Sequence, residues 1–114
     1  MKTEYSKRFL KEAKDLRKKY HNFDDDLRSF VNDLKYGKPV GADLIENIKR
    51  LPVYKVRIKN SSSATGKRGG FRVIYYVEID EQTFYLLSIY SKSQTANISQ
   101  NEILEILKSE KLIK

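Results

Sequence analysis

The chain has 114 residues, of which 39% are hydrophobic and 33% charged. One domain over residues 1–114 is expected, with a core of modest size, and the composition is too apolar for a wholly disordered chain. No cysteine and a single histidine, His21, are present, which excludes disulfide scaffolds, cysteine nucleophiles, thiolate zinc sites and two-histidine chemistry.

No run approaches the roughly 18 apolar residues of a membrane helix. Met1-Lys2-Thr3-Glu4 lacks the apolar core of a secretory leader. The cytoplasm is the expected compartment, with no membrane partner. The formal net charge is +8. Eight of the 23 cations (Lys49, Arg50, Lys55, Arg57, Lys59, Lys67, Arg68 and Arg72) fall in one stretch that holds no Asp or Glu, leaving fifteen of each sign elsewhere. A basic domain with its excess concentrated in this way points to a polyanionic partner.

Thr3 to Tyr5 reads as a short strand or a lead-in. Tyr5, Phe9, Ala13, Leu16 and Tyr20 form one helical stripe, so a helix is predicted from Ser6, its N-cap, to Tyr20. Lys7, Lys11, Lys14 and Lys18 occupy another face of it. Phe23, Leu27, Phe30, Val31 and Leu34 predict a second helix from Asp24, stopped by Gly37 and Pro39. Asp24, Asp25 and Asp26 suit the positive end of that helix. Successive helical residues diverge by about 100°, so the three do not converge on a metal. The short connection between the helices makes an αα-hairpin. Residues 40–51 read as a loop with a turn or a short strand.

From Pro52 the period changes to two. Tyr54, Val56 and Ile58 alternate with Lys55, Arg57 and Lys59. A polar, glycine-rich loop over 60–70 leads to a second strand, Phe71 to Glu78. A turn at Asp80-Glu81-Gln82 leads to a third, Thr83 to Tyr90. Short links favour an antiparallel meander. Ser99-Gln100-Asn101-Glu102 is a capping-box pattern opening a last helix that runs to about Ser109. The fold class is therefore α+β: an N-terminal helical hairpin packed on a small antiparallel sheet, with a C-terminal helix, the helices lying on one face of the sheet. The other sheet face is expected to be partly open.

Strand alternation places Lys55, Arg57 and Lys59 on one side, and Arg72, Ile74 and Tyr76 share a side of the next strand. If the registers agree, the open face collects Lys55, Arg57, Arg72 and Lys92 beside Tyr76 and Tyr90. Cations with aromatic rings for stacking are what single-stranded nucleic acid requires. Gly66-Lys67-Arg68-Gly69-Gly70 is not a Walker A loop, since Ser61 replaces its first glycine and Arg68 its hydroxyl residue. Lys67 and Arg68 are read instead as phosphate-gripping or simply solubilising cations.

Pro52-Val53-Tyr54-Lys55-Val56-Arg57, the loop ending Gly69-Gly70-Phe71-Arg72-Val73-Ile74-Tyr75-Tyr76, and Leu86-Leu87-Ser88-Ile89-Tyr90-Ser91-Lys92-Ser93 resemble the RelE/ParE toxin superfamily. The glycine-rich loop is most similar to the HigB-type, RelE-like branch. The resemblance covers roughly Phe9 to Leu107 and implies the RelE-like microbial RNase fold. It also implies a type II toxin that enters the ribosomal A site and cuts mRNA there without a metal or other cofactor, the ribose 2′-hydroxyl acting as nucleophile. The implied catalytic residues are Lys55, which helps deprotonate that hydroxyl, Arg57 and Arg72, which stabilise the phosphorane, and Lys92, near the leaving oxygen. Lys59, Lys67, Arg68, Tyr76 and Tyr90 are the expected RNA-binding residues. The implied partners are mRNA, the ribosome and an antitoxin of helix-turn-helix type. RelE carries a tyrosine near the start of its last helix, and Thr95 to Ser99 contains none. Two other readings share the fold: a nucleic-acid-binding module without catalysis, and a ParE-like toxin that poisons gyrase.

Overall fold

A serine hydroxyl opens the first helix and ties it to the sheet. Ser6 Oγ accepts from Phe9 N at 2.9 Å and donates to the Leu87 carbonyl at 2.7 Å. This cap stands between β1 (Lys2–Tyr5) and α1 (Lys7–Lys19); α2 (Phe23–Lys35) follows. Then come β2 (Asp43–Leu44), β3 (Val53–Ile58), β4 (Phe71–Glu78), β5 (Thr83–Ser91) and α3 (Gln100–Ser109). The computed structural model describes residues 2–37, 41–63, 70–94 and 97–114. Among the described residues, no helix is long and apolar enough to cross a membrane.

The sheet has five strands in the order β1-β5-β4-β3-β2. The expected meander is its centre, with β3, β4 and β5 antiparallel. Thr3 to Tyr5 is a strand, lengthened by Lys2 and paired parallel to β5, and the 40–51 segment contributes the two-residue β2. The sheet is therefore mixed, because the chain leaves β1 through a helical hairpin and re-enters on the far edge. β1 ends opposite Leu86, and α1 takes over that edge of β5: Ile89 N donates to Glu12 Oε1 at 3.3 Å and Ser88 Oγ at 2.8 Å. Burial pushes the Glu12 carboxyl above its ordinary value, and these donors work against the rise.

Two cores flank the sheet. The α1–α2 hairpin lays Phe9, Ala13, Leu16, Phe23, Phe30 and Leu34 against Val56, Phe71, Val73 and Tyr75. On the opposite face α3 lays Ile103, Ile106 and Leu107 against Val53, Ile74, Tyr76 and Leu87. This second layer corrects the expectation of helices on one face only. The apolar stripe of α3 needs burial, and the first face is already filled by the hairpin. A bulge helps: Ile74 pairs with Ser88 but Tyr75 with Leu86, so β5 holds one extra residue, Leu87, which points to the α3 side. The capping box is formed, Glu102 N donating to Ser99 Oγ at 3.1 Å and Ser99 N to Glu102 Oε1 at 3.3 Å.

Candidate active site

α3 covers only one end of its sheet face. At the other end, strand pleating brings cations together. Lys55 and Arg57 lie two residues apart on β3, and Arg57 stands directly opposite Arg72 on β4. Like charges facing across strands are unfavourable, so this pairing serves something other than stability. Beyond the end of β5, Lys92 N reaches the Gly70 carbonyl at 3.5 Å, which brings its side chain to the same end of the sheet. Lys55, Arg57, Arg72 and Lys92 line one cleft of about 180 Å³, together with Gly41, Asp43 and Asn97.

The four cations are held differently. Arg72 is only 4% exposed, and its Nη1 donates to the carbonyls of Gly70 and Phe71 at 3.4 and 3.5 Å. Burial first, and the neighbouring Arg57 charge second, push its guanidinium below the ordinary value. Lys55 is half-buried, and its Nζ donates to Asn97 Oδ1 at 3.5 Å. Arg57 and Lys92 are exposed. The ion pairs among the described residues leave Lys55, Arg57 and Lys92 out. The cleft thus presents fixed positive charge on a floor made by Arg72, which suits an anion with several oxygens. No group of His, Asp or Glu suited to hold a metal occurs among the described residues.

The other expected residues divide. Lys59 is exposed just past the end of β3 and does not line the cleft. Lys67 and Arg68 lie outside the described residues. Tyr76 and Tyr90, read from the sequence as stacking rings, are each 6% exposed and packed with Ile103, Ile106 and Leu107. Their ring faces are turned into the α3 core, because alternation assigns a residue to a face and does not say what covers that face. The Tyr76 hydroxyl donates to Glu78 at 2.8 Å, and burial with that bond pushes its pKa up to about 12. Tyr90 stands opposite Arg72, and burial raises its phenol against the pull of that cation. Asp43 and Asn97 carry no signal in the sequence. Asp43 reaches the cleft because β2 pairs it with Lys55, and a two-residue strand has no periodicity to reveal it.

A five-stranded sheet between a helical hairpin and a single helix, with an arginine-floored cationic cleft at its uncovered end, defines a small α+β protein. A family model described as the RelE toxin of the RelE/RelB toxin–antitoxin system matches residues 1–113, and the chain belongs to this RelE toxin family. The structure of E. coli toxin RelE, a mutant form in the free state, is similar in fold: TM-score 0.57, 16% identity, 95% of each chain covered.

Proposed function

We propose that this protein is the toxin of a type II toxin–antitoxin pair and acts as a ribosome-dependent, metal-independent mRNA endonuclease of the cytoplasm, in one domain over residues 1–114. The observation that carries the reading is the meeting of Lys55, Arg57, Arg72 and Lys92 in one cleft. In this mechanism the ribose 2′-oxygen attacks the adjacent phosphorus in line. The 2′-O–P bond forms, the P–O5′ bond breaks, and a 2′,3′-cyclic phosphate and a free 5′-hydroxyl result. Lys55, as its neutral amine, accepts the proton of the 2′-hydroxyl, and Lys92, as its ammonium, supplies one to the departing 5′-oxygen. Arg57 and Arg72 hold the equatorial oxygens, whose charge grows in the transition state. Phosphoryl transfer gains most from such placed charge. The glycine-rich loop is most similar to that of the HigB-type branch, which supports a cognate antitoxin of helix-turn-helix type as the inhibitor.

A second reading keeps the cleft and drops the chemistry, leaving a protein that binds RNA without cutting it. It is favoured by the lack of a tyrosine between Thr95 and Ser99 and by the burial of Tyr76 and Tyr90, which leaves neither as a replacement. Expression of the chain without a partner separates the two. Cleavage predicts arrest of growth and translation, with colonies restored by Arg72→Ala at equal protein abundance. An Arg72→Ala protein as toxic as the parent contradicts the site. A ParE-like gyrase poison would show DNA damage in place of translational arrest.

A further inference from the structure

Outside the Lys49–Arg72 stretch the charges sum to zero, but they are not mixed in space. α1 alone carries seven cations against two carboxylates, while α2 carries four carboxylates against two cations. Lys7, Lys11, Lys14 and Lys18 are all exposed. Their spacing of three and four residues lines them up on one side of α1 over about 16 Å. None of the four ammonium groups is in an ion pair among the described residues. The two arginines of the helix are spoken for: Arg8 by Glu12 and Glu102, Arg17 by Asp24. Ordinary surfaces intersperse the signs, and this face does not.

We propose that the α1 lysine stripe is a second RNA surface, one that docks the phosphate backbone of double-helical RNA. The row is rigid and long enough to meet several successive phosphates. Lysine is a point charge suited to phosphate and carries no base code. The stripe bears no aromatic ring for the stacking that single strands require. Duplex RNA is recognised mainly by shape and phosphate contacts. The stripe also leads toward the cleft: Tyr20, at the end of α1, lies beside Ser91 and Ser93, the residues flanking Lys92. The inference adds a docking partner to the nuclease reading and shares with it only the class of ligand.

The test is fluorescence anisotropy of the purified full chain with a fluorescein-labelled 20-base-pair RNA duplex across a salt series. The variant Lys7→Gln/Lys11→Gln/Lys14→Gln/Lys18→Gln should bind at least tenfold more weakly. Its log K against log[salt] line should be shallower by about 3.6 if each of the four lysines meets one phosphate, since each contact contributes about 0.9 to the slope for a B-form duplex. Two double variants, at Lys7 and Lys11 and at Lys14 and Lys18, should each lose about half of that slope, which covers the case of a quadruple variant that fails to fold. Lys35→Gln, an exposed lysine at the end of α2, should keep the parental slope. Unchanged affinity and slope in the α1 lysine variants overturn the proposal. So does an equal loss of duplex binding in Lys35→Gln, or α1 lysine variants that keep duplex binding and lose only an acidic protein partner. Duplex binding through α1 by a chain that cuts no RNA would sink the nuclease reading and leave this one standing.

Discussion

The two ends of one sheet face have been put to opposite uses. At one end Val53, Ile74, Tyr76 and Leu87 lie under α3 and are at most 6% exposed. At the other, Lys55, Arg57, Arg72 and Lys92 line an uncovered cleft. The same strands, β3 and β4, serve both ends within a few residues. The first end gains stability by removing apolar area from water. The second gives some up by setting Arg57 opposite Arg72. Such a trade is expected where a site requires crowded charge.

Substitutions at the two ends should therefore move different quantities. Leu107→Ala, at a fully buried α3 position, should cost about 2–5 kcal/mol. It should appear as a lower midpoint in urea unfolding, with cleavage per folded molecule retained. Arg72→Ala should lower cleavage by about 10²–10³-fold, the scale of losing one placed donor to a developing oxyanion, measured on ribosomes carrying a defined mRNA. A loss of stability large enough to explain that fall would blur the division between the two ends. Ser99→Ala removes the α3 cap and should cost about 1 kcal/mol, again by denaturant midpoint. Arg57→Ala should go the other way, stabilising the fold by roughly a few tenths of a kcal/mol while weakening cleavage. A destabilised Arg57→Ala would mean that the cross-strand pair of guanidinium groups is not a strain.

The contrast also explains what could be read without coordinates. β3, β4 and β5 are long alternating runs, and their faces follow from parity, so Lys55, Arg57 and Arg72 could be grouped in advance. The capping box at Ser99 and the N-cap at Ser6 are local patterns and matched the helices they open. Thr3 to Tyr5 reads as a short strand or a lead-in, but β1 pairs in parallel with a strand some 80 residues away, so its neighbourhood does not reveal its partner (Ser6 and Leu87 are 81 apart). The stripe of Ile103, Ile106 and Leu107 shows that α3 is buried on one side, but not which surface it buries. That gap is why Tyr76 and Tyr90 read as stacking residues when they are core residues. Asp43 and Asn97 sit in segments without periodicity, and only the β2–β3 register and the fold around Lys55 bring them to the cleft.

The central claim is that the uncovered end of the sheet breaks RNA through the 2′-hydroxyl. The most direct test maps the ends of mRNA cut on purified ribosomes by the intact protein, with Arg72→Ala in parallel. The account predicts 2′,3′-cyclic phosphate and 5′-hydroxyl ends that disappear in the variant. Ends bearing a 3′-hydroxyl and a 5′-phosphate, or cyclic phosphate ends that persist undiminished with Arg72→Ala, would contradict it.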